Sequence, residues 1–190
     1  MAIVLASQSP RRQELLARIG VEDFKTLSLD IDESYPEGLS PEDTVRYIAK
    51  KKCDAAAALC APDDLIITAD TMVFLGNDRL GKPRDEDDAL RMLRELAGRG
   101  HTVCTGVSVR RGAQEERFAV STRVFFRPMT DDEIRAYIKT GEPMDKAGAY
   151  GVQSRGALFV ERIDGDFFNV MGLPVEQLGL VLARFGVKLL

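Results

Sequence analysis

The apolar positions of this chain change period several times, and each change marks an element. Ala2-Ile3-Val4-Leu5-Ala6 is an unbroken apolar run, which predicts a buried strand. Leu15, Leu16 and Ile19 then recur at helical spacing behind Pro10, so a helix starts there with Ser9 as N-cap and stops at Gly20. Phe24 to Leu29 reads as a second strand, and the acidic, turn-rich stretch Asp30 to Gly38 as a loop. Ser40-Pro41-Glu42-Asp43 combines a cap, a first-turn proline and a carboxylate three residues after the cap. It opens a helix that runs to about Cys60 and is ended by Pro62-Asp63-Asp64. Leu65-Ile66-Ile67-Thr68-Ala69 predicts another buried strand, and Met72 to Leu75 with Arg79-Leu80 flank Gly76-Asn77-Asp78 as a hairpin.

The second half alternates in the same way. Leu90, Leu93 and Leu96 give a helix over Pro83 to Ala97, capped by Asp85 and closed by Gly98 and Gly100. Two long strands follow, His101 to Arg110 and Glu116 to Arg127, joined at Arg111-Gly112-Ala113-Gln114. Thr130-Asp131-Asp132-Glu133 is a capping-box start for a further helix. Gly141 to Gly156 is a glycine-rich loop region, Ala157 to Val160 a short strand, and Val175 to Phe185 a closing helix after Gly172-Leu173-Pro174. Helices alternate with strands and a strand pair follows, which predicts an α/β fold on a mixed sheet.

Composition narrows the function classes. A chain of 190 residues fits a single domain or one bilobed unit with a real core. Its net charge of −4, with no aromatic-basic platform, argues against nucleic acid as partner but leaves room for a local basic pocket. The scattered Tyr and Phe residues read as core. Cys53, Cys60 and Cys104 are odd in number and widely spaced, which predicts neither disulfides nor zinc and fits a cytoplasmic, reducing location. No apolar run approaches the ~20 residues of a membrane span, so no membrane partner is expected. A homodimer is the default assembly.

Three islands carry candidate chemistry. Ser7-Gln8-Ser9-Pro10-Arg11-Arg12 places hydroxyls and two guanidinium groups at a strand-to-helix junction, where backbone N–H groups and the helix dipole favour an anion. The same arginines also fit an ordinary solvated helix face. Asp70 falls where the strand over Leu65 to Ala69 is expected to end, a place for a metal-binding or water-orienting carboxylate, and equally for a turn cap. Lys82 sits between Gly81 and Pro83 on a constrained backbone. Glu33 matters only if its loop folds over the pocket. Of Lys50-Lys51-Lys52, one or two at most can face a pocket, because consecutive helical positions diverge. The acidic run Asp85 to Asp88 reads as first-turn carboxylates of a helix, and the single histidine, His101, as structural. There is no phosphate-binding GxxxxGK[ST] loop and no nucleophile elbow. Together the three islands suggest a polyphosphate substrate and a metal-assisted hydrolysis.

Together with Asp145-Lys146-Ala147-Gly148-Ala149-Tyr150-Gly151-Val152-Gln153 and Gly172-Leu173-Pro174, these islands resemble the Maf family of nucleoside triphosphate pyrophosphatases, named after a septum-formation inhibitor. The likeness spans nearly the whole chain. It implies one domain over residues 1–190. The implied fold is elongated α/β, a mixed sheet with flanking helices and two lobes around a cleft, related in architecture to inosine triphosphate pyrophosphatases. It implies hydrolysis of a nucleoside triphosphate to monophosphate and pyrophosphate with Mg²⁺ or Mn²⁺. Asp70 matches the family's general-base position, and Ser7, Arg12, Glu33, Lys52 and Lys82 its phosphate and metal pocket, with Glu33 and Asp70 toward the metal. Arg11, Thr71 and Gln153 match the subgroup that prefers dTTP and UTP, rather than the one that prefers 7-methylguanosine triphosphate. The chemistry agrees: Gln153 can accept from the N–H of uracil or thymine and donate to a carbonyl, and Arg11 can donate to another. The competing expectation is a nucleotide-binding regulator of septum formation with little turnover.

Overall fold

The computed structural model describes residues 1–190. In chain order the regular elements are β1 (Ile3–Leu5), α1 (Pro10–Arg18), β2 (Phe24–Thr26), α2 (Pro41–Ala57), β3 (Leu65–Leu75), β4 (Asp78–Leu80), α3 (Glu86–Leu96), β5 (Gly100–Arg111), β6 (Gln114–Phe126), α4 (Asp131–Ile138), β7 (Val160–Asp164), α5 (Phe167–Met171) and α6 (Val175–Arg184). Three short 3₁₀ turns, Glu142–Asp145, Ala147–Ala149 and Arg155–Phe159, fill the glycine-rich region. The strands form one mixed sheet in the order β2-β1-β3-β5-β6-β7, with β4 hydrogen-bonded to β3. β1 lies parallel to both β2 and β3, whereas β4 returns antiparallel to β3 and β7 antiparallel to β6. The α/β class with a mixed sheet and flanking helices is the one expected. No helix is long and apolar enough to cross a membrane.

The chain divides into two compact units. The first comprises Met1–Asp70, Thr105–Val120 and Gly172–Leu190, the second Thr71–Cys104 and Ser121–Met171. Within the first, α2 turns Val45, Ile48, Ala49, Cys53 and Ala56 inward, and all five are fully buried. This helix rests directly on β5: a Cβ at Gly106 would stand 2.3 Å from the carbonyl carbon and oxygen of Val45, so only glycine fits there. Cys53 and Ala56 join Ala6 and Ile66 in one apolar cluster. In the second unit, α3 buries Leu90, Leu93 and Leu96, the triplet that marks it in the sequence. Arg94 on α3 pairs with Asp131 on α4. His101 packs edge-on to Phe126 and bonds through Nε2 to the Tyr150 hydroxyl at 2.8 Å. Its burial lowers its pKa to about 4.

The helix starts appear as expected. Ser9, Ser40, Asp85 and Thr130 all cap with their side chains, and Thr130 with Glu133 forms the full capping box. The acidic run at the start of α3 serves the helix: Asp85 caps it, and buried Asp88 accepts from Arg91 at 2.7 Å, which with Arg84 holds its pKa at about 2. No three Asp, Glu, His or Cys side chains anywhere gather as a metal cluster would.

Several boundaries differ from the sequence reading. β2 stops at Thr26 and α2 at Ala57. Asp70 does not end a strand, because β3 runs unbroken for 11 residues. Thr68 and Asp70 interrupt the apolar pattern, but α2 supplies a partner for each: the Ala49 carbonyl for Thr68 at 2.7 Å and the Lys52 ammonium for Asp70 at 2.8 Å. A partner for the Thr68 hydroxyl and for one Asp70 oxygen lets both residues stay inside a buried strand. The strand expected over Ala157 to Val160 is a 3₁₀ turn, and the true strand β7 begins at Val160. Its sequence, Val-Glu-Arg-Ile-Asp, is too polar to read as a core strand. It is instead a sheet edge, where Arg162 lies opposite Phe125 with its guanidinium carbon 3.9 Å from the ring centroid. The short helix α5 carries no apolar period to betray it, and Asn169 fastens it by donating to the Val103 carbonyl at 3.1 Å and to the Thr122 hydroxyl at 3.0 Å.

Candidate active site

The first unit gathers the charged candidates. β1 ends at Leu5, three residues into its parallel pairing with β3, and its chain turns away into α1. β3 continues, so Asp70 projects just beyond the end of that parallel pair, only 6% exposed. In α2, Lys50 pairs with Asp54 along the outer helix face. Lys51 reaches the Asp32 carboxylate at 3.2 Å and the Ser34 carbonyl at 3.2 Å. Lys52 turns to β3 and lies 2.8 Å from Asp70 Oδ1 and 2.9 Å from Glu33 Oε1. Three consecutive lysines therefore have three different partners, as helical geometry requires.

Lys51 also explains why Glu33 arrives. It ties the loop to α2 through Asp32 and Ser34, and Asp32 in turn accepts from the Ser34 amide at 3.0 Å. The Ser34 hydrogen bonds, with help from Lys51, lower the Asp32 pKa to about 2, so the tether stays charged. The loop thus folds back on the helix, the condition under which Glu33 becomes a candidate. Its carboxylate is half exposed, at 50%, whereas Lys52 is 14% exposed.

The α1 terminus uses part of its backbone donors in its own cap. Pro10 has no N–H, Ser7 Oγ takes the Ser9 amide at 3.2 Å, and Ser9 Oγ takes the Arg12 amide at 3.5 Å. The Ser9 and Arg12 amides are therefore used locally, and the guanidinium groups add to the attraction for an anion. Arg12 is anchored by its Nε to the Gly172 carbonyl at 2.8 Å and by Nη1 to Ser7 Oγ at 3.3 Å. Burial lowers its pKa, Asp70 and Glu33 act in the opposite direction, and the Arg11 charge lowers it further. An arginine so placed keeps its proton. The role of Gly172-Leu173-Pro174 is visible only here: its first carbonyl holds the guanidinium of a residue 160 positions earlier.

The structure thus brings Ser7, Arg11, Arg12, Glu33, Lys52 and Asp70 into one neighbourhood of the first unit. Asp70 Oδ2 is buried and has no hydrogen-bond partner. An orphaned carboxylate oxygen beside a second carboxylate is what a hard cation or an activated water needs, and all the donors are oxygen. These residues fit a divalent metal.

Thr71, Lys82 and Gln153 belong to the second unit. Strand alternation turns Thr71 to the face opposite Asp70. Lys82 is exposed, and the neighbouring Gly81 carbonyl accepts the Gly148 amide at 3.0 Å. This one bond joins the Gly81-Lys82-Pro83 island to the Asp145–Gln153 segment, two motifs more than 60 residues apart. Gln153 is exposed in the turn Gly151–Ser154, closed by a Ser154 amide to Gly151 carbonyl bond of 3.4 Å. The sequence reading missed Tyr137 and Glu142, which hold this turn; the signal was their place just before and at the start of the glycine-rich stretch.

Comparison with known proteins places the chain as a whole. A Bacillus velezensis protein named dTTP/UTP pyrophosphatase is 46% identical over 98% of this chain and 97% of its own. A Dictyoglomus turgidum protein of the same name is 47% identical over 99% of this chain and 98% of its own. A solved HAM1 protein structure from Coxiella burnetii shares the fold, with a TM-score of 0.56 at 13% identity over 97% of this chain and 99% of that one. The Maf-like protein family matches residues 2–185, and the chain belongs to that family.

Proposed function

We propose that this chain is a nucleoside triphosphate pyrophosphatase that hydrolyses dTTP and UTP to the monophosphate and pyrophosphate, clearing pyrimidine nucleotides from the cytoplasmic pool. The observation that carries the chemistry is the buried, unpartnered Oδ2 of Asp70, beside Lys52, Glu33 and Arg12. The pyrimidine preference is supported by the near full-length relatives named for dTTP and UTP.

In this reading Asp70 Oδ2 accepts a hydrogen bond from the attacking water and takes its proton as the water oxygen bonds to the α-phosphorus. The bond from that phosphorus to the bridging oxygen breaks, and pyrophosphate leaves with the electron pair. Lys52 and Arg12 stabilise the charge that builds on the leaving group, and Ser7 donates to a phosphate oxygen. Glu33 and Asp70 are the residues that would hold Mg²⁺ or Mn²⁺. A divalent ion held there would supply further neutralisation of the phosphate charge. For the base, a Gln153 amide can accept from the N–H of uracil or thymine and donate to a carbonyl, an Arg11 guanidinium can donate to a carbonyl, and Thr71 belongs to the same pyrimidine-type residue set.

The test is pyrophosphate release from a panel of nucleoside triphosphates with Mg²⁺ or Mn²⁺. Preferential turnover of dTTP and UTP is expected. Comparable turnover of 7-methylguanosine triphosphate would overturn the base assignment and leave the chemistry intact. Nucleotide binding with no turnover of any substrate would replace the enzyme by a binding regulator.

A further inference from the structure

Glu142 is a polar residue for which the proposed reaction has no use, yet four donors converge on it. Its Oε1 accepts from the Tyr137 hydroxyl at 2.8 Å, the Ser154 hydroxyl at 2.7 Å and the Gly156 amide at 3.2 Å. Its Oε2 accepts from the Arg155 amide at 3.2 Å. Burial raises its pKa, but the bonds from Ser154, Tyr137, Gly156 and Arg155 outweigh that, and the carboxyl lies below its ordinary range. Tyr137 is itself a relay: its oxygen accepts the Gly151 amide at 3.1 Å while its proton goes to Glu142.

These bonds grip both ends of one four-residue turn. Gly151 is held through Tyr137, Ser154 directly, and Gln153 sits between them. The fit is close on every side. A Cβ at Gly156 would stand 2.6 Å from the Gly151 carbonyl oxygen and 2.9 Å from the Tyr137 hydroxyl, so the chain can pass there only as glycine. From the other side the Lys146 ammonium donates to the Glu142 carbonyl at 2.7 Å. A surface turn would ordinarily rely on its own backbone bond, which here is a long 3.4 Å.

We propose that Glu142, acting with Tyr137, is a positioning residue that sets the orientation of the Gly151–Ser154 turn and thereby of Gln153, and so tunes the choice of base. The proposal rests on the reading of Gln153 as a base-contacting residue. A side-chain amide discriminates bases only if its backbone is fixed to within a few tenths of an ångström, and a charged acceptor shared by four donors fixes it more firmly than neutral bonds do.

The experiment compares Glu142→Ala, Gln153→Ala and the double variant for KM, kcat and the preference for dTTP and UTP over GTP and 7-methylguanosine triphosphate. Glu142→Ala is expected to raise KM for dTTP and UTP about tenfold, with a smaller change in kcat, and to erode the preference by a similar factor. The double variant should be no less selective than Gln153→Ala alone, because both changes act through one side chain. Glu142→Gln, which turns one acceptor into a donor facing the Arg155 amide, and Ser154→Ala should give smaller shifts in the same direction, and serve if the alanine variant fails to fold. A fall in kcat and melting temperature with the base preference intact would overturn the proposal and leave Glu142 a structural residue. Multiplying losses in the double variant would overturn it too. If Gln153→Ala itself leaves the preference untouched, the base reading fails, and the positioning role with it.

Discussion

The two units organise polar side chains in opposite ways. In the first, charges of both signs sit on regular elements and face one another: Asp70 on β3, Lys52 on α2, Arg12 on α1, with Glu33 carried in on a loop that Lys51 pins down. In the second, the carrier of the candidate base contact is a turn, and its order comes from hydrogen bonds to one carboxylate, Glu142. The difference follows the chemistry each would serve. A triphosphate presents diffuse charge, which strong fields at rigid positions stabilise whatever base is attached. A base presents a fixed pattern of donors and acceptors, which demands orientation more than charge. A loop can be altered to change specificity without disturbing the strand and helix that hold the reacting groups.

Substitutions can break this comparison. The largest effect belongs to Asp70→Asn, expected to lower kcat about 10²–10⁴-fold for every nucleotide alike while binding persists, measured by pyrophosphate release and calorimetric titration. A loss confined to some bases would blur the division between the units. Next is Lys52→Met, which leaves the buried Asp70 carboxylate without its counter-ion. Urea unfolding should show a loss of about 3–5 kcal/mol, and an unchanged midpoint would mean that the pair is not structural.

His101 gives the second unit a histidine titration that the first lacks, since the chain has no other histidine. Its folded pKa is about 4 against an ordinary 6.5. Above pH 6.5 the ring is neutral folded or unfolded, and it contributes no slope. As pH falls from 6.5 to 4 the unfolded chain takes up a proton that the folded one refuses, so the His101 contribution should drop by about 3 kcal/mol and then level off, while carboxylates held near 2, such as Asp32 and Asp88, carry the loss to lower pH. His101→Gln should flatten that part of the unfolding profile. The smallest effect is expected of Glu33→Gln: with half of its side chain exposed, the bond to Lys52 is worth under ~1 kcal/mol to stability. Its larger signature would be weaker Mn²⁺ binding, read by titration.

Much of the fold was legible because it is local. The caps at Ser9, Ser40, Asp85 and Thr130, the Gly76-Asn77 hairpin and the leucine triplet of α3 all follow from neighbouring residues and short-range sterics. What failed was whatever needs a partner from elsewhere. β7 is polar, and only the Phe125–Arg162 pairing makes a strand of it. Asp70 breaks an apolar run, and the Lys52 ammonium, with Arg12 nearby, keeps it within one.

The same division runs through the site. The sequence by itself determined which groups are present: the two arginines after Pro10, the carboxylate after an apolar run, the lysine between Gly81 and Pro83, the amide of Gln153. Chemistry is a property of residue type, and it can be read without coordinates. Tertiary structure alone decided that one lysine of three would face Asp70, that Asp70 Oδ2 would be left without a donor, and that Gly172 would anchor Arg12. It also decided that Glu142 would gather four donors around the turn of Gln153. Each of these joins residues separated by up to 160 positions. Contacts of that range are fixed by the packing of whole elements, a cooperative property that no local stretch of sequence contains.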